Sequence, residues 1–187
     1  MNYATIKKND VANGPGVRVS LFVSGCRHGC RDCFNREAWD FGYGREFDDS
    51  VIGEILDACD KSYIDGLSLL GGEPFEPENQ EGVLRLLSGF CERFPRKNVW
   101  CYTGFVYERE LVSGESRART RYTDAIIEKI DVLVDGRYEA EARDLNLRFR
   151  GSRNQRIIDV KQTLSLGRVV LWDEDADTVR FDGEGKK

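Results

Sequence analysis

Residues 18–34 read RVSLFVSGCRHGCRDCF. The first six, Arg18 to Val23, form a short apolar run that reads as a buried strand. Ser24-Gly25 ends the run as a turn signal. Three cysteines follow at once, Cys26, Cys30 and Cys33, spaced C-x3-C-x2-C. Gly25 and Gly29 let so short a loop turn tightly enough to wrap three thiolates around one centre. Thiolates are the ligands of iron–sulfur clusters, and a fully ligated cluster takes four. Three leave one iron open. By analogy with zinc sites, an open position separates a catalytic centre from a structural one. An open iron suits chelation by the amino and carboxylate groups of a small molecule. Three other readings of these residues stand beside it. They are a structural zinc site with His28, the sole histidine, as fourth ligand; a helix with core cysteines at i, i+4, i+7; and a disulfide with one spare thiol.

Outward from the loop, apolar runs and helical periods alternate. Asp48, Asp49 and Ser50 offer N-caps for a helix with Ile52, Ile55, Leu56 and Cys59 at helical spacing. Leu67 to Leu70 is a strand closed by Gly71-Gly72. A second helix is expected over Gln80 to Phe94, with Val83, Leu87, Phe90, Cys91 and Phe94 on one face. Val99 to Tyr102 is a strand stopped at Thr103-Gly104. Thr123 to Ile130 reads as helix, Val132 to Val134 as a strand ending at Asp135-Gly136, and Ile157 to Val160 as a further strand. Val169–Trp172 and Thr178–Phe181 fit a hairpin ahead of a frayed tail, and residues 109–121 read as an exposed arginine-containing insert. Cys59, Cys91 and Cys101 fall on apolar faces, where free cysteine packs as a small hydrophobe.

This order predicts an α/β fold with a parallel sheet and right-handed crossovers. With fewer than eight strand–helix units, the sheet is expected to be an open partial (β/α) barrel forming a single domain. Ligands of such folds sit at the C-terminal ends of the strands. The cysteine loop, Gly71 to Pro74, Thr103-Gly104 and Asp135-Gly136 all follow predicted strands and are expected on one rim. The expected layout is a domain over residues 1–160 and a C-terminal extension over 161–187.

The 187 residues carry a net charge of −5, with 40% hydrophobic and 33% charged residues. That balance fits a globular protein without the basic footprint of nucleic-acid binding. No stretch is apolar enough to span a membrane, and the opening residues lack the pattern of a secretory signal. A cytoplasmic location is expected, where clustered cysteines bind metal or do chemistry more often than they form disulfides.

Four stretches together carry a resemblance to a known family. They are Asn13-Gly14-Pro15-Gly16 running into the strand and cysteine loop, Gly71-Gly72-Glu73-Pro74, Asp135-Gly136-Arg137-Tyr138, and Arg150-Gly151-Ser152-Arg153-Asn154-Gln155. The cysteine spacing resembles the radical S-adenosylmethionine superfamily. The remaining motifs are similar to those of activating proteins of anaerobic (class III) ribonucleoside-triphosphate reductase. The resemblance covers residues 1 to about 160. It implies a [4Fe–4S] cluster on Cys26, Cys30 and Cys33, and S-adenosyl-L-methionine as co-substrate. Reductive cleavage would yield a 5′-deoxyadenosyl radical that takes a hydrogen from a glycine of the reductase large subunit. A low-potential donor such as reduced flavodoxin would supply the electron.

The resemblance further implies that Gly71, Gly72, Glu73 and Pro74 line the methionine end. Asp32 and Phe34 would face the adenine, and Thr103 and Asp135 would reach the cofactor from neighbouring strands. Many superfamily members carry an aromatic just before the third cysteine. Asp32 stands there in this chain, and Phe34 comes just after Cys33. Arg148, Arg150, Arg153 and Arg156 read either as a solvated face or as groups that dock the reductase or fix the cofactor carboxylate. Related readings are an activase of another glycyl-radical enzyme and a radical synthase acting on a small molecule, of the deazapurine-forming kind.

Overall fold

A computed structural model describes residues 1–173. These residues form a mixed α/β fold around a seven-stranded sheet. In chain order the strands are β1 (Asn2–Asp10), β2 (Arg18–Val23), β3 (Arg45–Glu46), β4 (Gly66–Gly71), β5 (Asn98–Tyr102), β6 (Val132–Asp135) and β7 (Arg156–Asp159). Their order across the sheet is β3-β1-β2-β4-β5-β6-β7. The central four, β2, β4, β5 and β6, are parallel, as expected from the alternation.

The flanking strands depart from that expectation. β1 pairs antiparallel with β2, and β7 pairs antiparallel with β6. β1 escaped the sequence reading because its residues, NYATIKKND, are mostly polar and only Tyr3 and Asp10 are buried. β7 turns back because residues 136–155 lack a helical apolar period, so no crossover helix forms between it and β6. The whole of that stretch therefore stays at the C-terminal rim.

Helix α1 (Asp49–Cys59) is capped by Asp48, whose carboxylate accepts from Val51 N–H. Helix α2 (Pro77–Arg93) starts a few residues before the expected Gln80, with Pro77 in its first turn. Helix α3 covers Thr123–Ile127. Helix α4 (Val160–Leu166) follows β7 directly, because Asp159 caps it by accepting from Gln162 N–H at 2.9 Å. Leu171 then bridges to Ile158 of β7, while Thr178–Phe181, the other half of the expected hairpin, lie outside the described residues.

The two faces of the sheet differ. Val19, Leu21, Leu67, Leu69, Val99, Cys101 and Leu133 join Ile55, Leu86, Leu87 and Phe90 of α1 and α2 in one buried core. The residues between them alternate to the other side. There Trp100, Val132 and Val134 pack with Tyr102, Phe149, Ile157 and Trp172. Arg18 is fully buried on this side and donates to Ser68 Oγ (2.7 Å), Leu67 O (2.9 Å) and Asn98 O (3.2 Å). Burial pushes its pKa down to about 10.

Residues 109–121 are mostly exposed and irregular, as expected, but two of them are anchored in the core. A π-type turn over Tyr107–Val112 buries Leu111, and Ala118 is sealed beneath, its carbonyl accepting from Gln80 Nε2 at 2.6 Å.

Candidate functional site: a cysteine-lined cleft at the strand ends

Four loops leave the C-terminal ends of β2, β4, β5 and β6 and close around a cleft of about 550 Å³. That volume lies in the usual range for small-ligand sites. Cys26, Cys30 and Cys33 all line it, together with Asp32, Phe34, Gly71, Gly72, Glu73 and Thr103. The rim expected from the sequence is thus present. The cysteine segment is loop, with no helical turn carrying the three thiols. Asp32 adopts the left-handed conformation (φ 56°), as do Gly25 and Gly29 (φ 94° and 63°). These residues give the loop its curvature.

The base of the loop is stitched to the turn after β4. Glu73 N–H donates to Gly25 O (2.9 Å), and Gly72 N–H donates to Val23 O (2.7 Å). A side chain at Gly72 would strike the Gly25 carbonyl at 2.6 Å, so the close approach of the two loops requires glycine there.

Two expected cofactor residues are placed elsewhere. Pro74 is buried behind the turn and does not line the cleft. Asp135 is also buried. Its carboxylate accepts from Tyr107 N–H (2.9 Å) and from Arg156 (2.5 Å), and it lines a neighbouring groove instead. Thr103 faces the cleft, but its hydroxyl donates to Glu73 Oε1 (2.8 Å) and accepts from Phe105 N–H (3.1 Å). Phe34 stands at the mouth, 85% exposed.

Glu73 itself is 1% exposed and fully engaged. Oε1 accepts from Phe75 N–H and the Thr103 hydroxyl, and Oε2 faces Gly104 N–H and His28 Nε2, each at 2.8 Å. His28 is therefore turned toward Glu73, with its ring edge-on to Phe105 at 4.5 Å. That contact takes up Nε2, while Nδ1 is buried without a partner.

Residues 136–155 supply a wall that the sequence reading missed as a unit. Gln155 Oε1 accepts from Gly151 N–H (2.8 Å), and Gln155 Nε2 donates to Gly136 O (3.0 Å). Asn154 Nδ2 donates to Arg137 O (2.8 Å). The Asn-Gln pair thus ties the RGSRNQ turn to the end of β6. Leu145, Leu147, Phe149 and Arg150 of this wall line the cleft. The alternation in LNLRFR is a period-two apolar signal that marks this segment. At the cleft's inner end the Tyr102 hydroxyl is buried without a partner.

The thiols suit a cluster by donor type, and the three of the loop line one cleft. All six cysteines are free, and only the three of the loop share a cleft. Nothing lies within 4 Å of where a Gly29 side chain would project, so the loop has space beside it. Among the described residues no three thiol, imidazole or carboxylate groups form a ready-made metal cage. Burial first, then the nearby Glu73, Cys30 and Glu76, push the Cys26 thiol up to about 12. Burial also raises Cys30, against the pull of Tyr138 N–H and Arg137. The bare loop thus holds these two as thiols, and a bound metal would favour the thiolates.

Comparison with known proteins agrees with this donor set. Residues 12–158 match a family described as a 4Fe-4S single cluster domain. The chain is 40% identical to an anaerobic ribonucleoside-triphosphate reductase-activating protein of Enterobacteria phage T4, over 84% of this chain and 93% of that protein. The proteins of the same name from Vibrio cholerae and Escherichia coli K12 are 39% and 35% identical, each over 83% of this chain and 96% of the relative. The chain belongs to this family of activating proteins. It is an activating enzyme built on a 4Fe–4S domain, and the matched residues take in the loop, the Gly71–Pro74 turn and the RGSRNQ wall. No helix of the described residues is long and apolar enough to cross a membrane.

Proposed function

We propose that this protein activates an anaerobic ribonucleoside-triphosphate reductase by generating a glycyl radical on its large subunit. The observation that carries the reading is the convergence of three free thiols on one cleft at the strand ends of a family member. Cys26, Cys30 and Cys33 would hold a [4Fe–4S] cluster with one iron left for S-adenosyl-L-methionine. When bound, the pair supplies a 5′-deoxyadenosyl radical that removes hydrogen from a reductase glycine.

The chain's own residues bind, orient and shield. The concave side of the sheet serves as the interior of an open partial (β/α) barrel. Gly71 and Gly72 bring backbone close to the methionine end, since neither carries a Cβ. Arg150 lines the wall with one guanidinium nitrogen donating to Gln155 O (2.7 Å), and its remaining donors suit the cofactor carboxylate. The unpartnered Tyr102 hydroxyl offers a hydrogen bond deep in the cleft, where an unmet polar group otherwise costs stability. Asp32 and Phe34 stand beside Cys33 on the adenine side. The cysteine loop and the 136–155 wall flank the cleft and would limit water around a reactive intermediate. A low-potential donor such as reduced flavodoxin supplies the electron, in the cytoplasm.

The test is anaerobic mixing of the reconstituted protein with its reductase, a reductant and S-adenosyl-L-methionine. A glycyl-radical signal by electron spin resonance on the reductase is expected. A reductase that stays silent while 5′-deoxyadenosine accumulates would refute the assignment of the partner.

A further inference from the structure

We propose that Glu73 and Glu76, the two acids of the Gly71-Gly72-Glu73-Pro74-Phe75-Glu76 turn, are positioning residues that clamp the cysteine loop at Arg27 and His28. Both are essentially buried, at 1% and 0% exposure. Buried carboxylates persist where their oxygens are met by donors, and here the loop supplies part of each set, beside Phe75, Thr103 and Gly104 at Glu73 and Arg117 at Glu76 (3.3 Å). Glu73 faces His28 Nε2 at 2.8 Å. Glu76 Oε1 accepts from Arg27 N–H at 2.9 Å, and Oε2 accepts from the Arg27 guanidinium at 2.7 Å. Two acids of one turn therefore grip two consecutive residues midway between Cys26 and Cys30.

Three observations show that the clamp is built into the fold. First, an ionised carboxylate has about four acceptor positions, and Glu73 fills that number with Phe75 N–H, Thr103 Oγ1, Gly104 N–H and His28 Nε2. No capacity remains for a cofactor ammonium. Second, the spacing of the two acids is fixed from behind. Glu76 N–H donates to Glu73 O (3.1 Å), and buried Asn79 donates through Nδ2 to both Glu73 O and Ser24 O, each at 2.9 Å. Third, space is reserved for the imidazole. A side chain at Gly104 would sit 2.5 Å from the His28 ring, and Phe105 supports that ring edge-on. Beyond His28 the loop has far fewer ties: Cys33 N–H donates to Cys30 O within the loop itself (3.2 Å), and Arg31 reaches exposed Glu141. The clamp is thus the main fixed point between the loop's stitched base and its free half.

The consequence for the cluster rests on the function proposed above, but the clamp is measurable without it. Hydrogen exchange on the full-length, metal-free chain compares wild type with Glu73→Gln, Glu76→Gln and His28→Ala. Amides 27–31 are expected to exchange about tenfold faster in each variant, as loss of a hydrogen bond to a charged group implies. Strands β2 and β4 should keep their protection. Glu73→Gln combined with His28→Ala should add little to either alone. In reconstituted protein Glu73→Gln and His28→Ala should alter the reduced cluster's spin-resonance spectrum in the same way, while the dissociation constant for S-adenosyl-L-methionine stays within about threefold.

Unchanged exchange at 27–31 overturns the clamp. So does intact loop protection alongside a tenfold weaker S-adenosyl-L-methionine affinity in Glu73→Gln, which would make Glu73 a cofactor contact. Should Glu73→Gln not fold, His28→Ala cuts the same link from the loop side and decides by the same comparison. A loop that exchanges as expected but takes up no cluster supports the clamp and refutes the function.

Discussion

Strand β5 turns Val99 and Cys101 toward the helices and Trp100 and Tyr102 to the opposite side, where Tyr102 lines the cleft, and the two sides of the sheet solve different problems. The helix side is continuous apolar packing, with Leu67, Leu69, Leu86, Leu87 and Phe90 fully buried. The cleft side mixes aromatic rings with a buried Arg18, the Ser68 hydroxyl and the unpartnered Tyr102 hydroxyl. The cysteines divide along the same line. Burial pushes the Cys59 thiol up to about 12, as it does Cys26. Acidity therefore does not separate a core thiol from a candidate ligand here. What separates them is company and access: Cys26 shares a cleft with two other thiols, while Cys59 and Cys101 are sealed among helices and strands.

This contrast is open to attack from both sides. The largest effect is expected for Cys33→Ala, which should abolish 5′-deoxyadenosine formation, whereas Cys91→Ala should leave it intact. A cleaving Cys33→Ala protein breaks the distinction. On the helix side, Leu86→Ala should cost about 2–5 kcal/mol of stability in denaturant melts without changing the cluster's spectrum in the folded fraction. At the junction of the two, Gly104→Ala forces a methyl group against the His28 ring and should cost about 1–3 kcal/mol. Its cluster content should fall more than its stability implies, which iron and sulfide analysis would reveal.

The smallest effect concerns pH. Cys26 and Cys30 carry raised pKa values in the bare chain, so coordination must displace their protons. Proton release makes loading more favourable as pH rises, by up to about tenfold per unit for each proton lost. Anaerobic iron titrations between about pH 6.5 and 8.5 should show that direction; a flat profile would mean the thiols load already ionised.

The central strands were legible because each is an apolar run closed by glycine or a polar turn, and the helices because their apolar residues keep one face. The rim followed from topology alone. Other parts were hidden for identifiable reasons. β1 is largely polar, so its pairing with β2 leaves little trace in hydrophobicity. Asp159 reads as the end of a strand and also caps α4, so the helix start was absorbed into the strand. The cysteines declared themselves by spacing. The direction of the Glu73 carboxylate did not, because no pattern in the chain records which donors surround an acid. Asp135 illustrates the same limit: its position after β6 is readable, but its capture by Arg156 depends on β7 running antiparallel.

The account turns on three loop thiolates that leave one iron of a cube without a protein ligand. Mössbauer spectroscopy of anaerobic, 57Fe-loaded protein, recorded before and after adding S-adenosyl-L-methionine, tests this most directly. A [4Fe–4S] signal in which a single iron site shifts on addition is the expected result. Absence of that cluster, or a cluster whose irons are all indifferent to the addition, would contradict it.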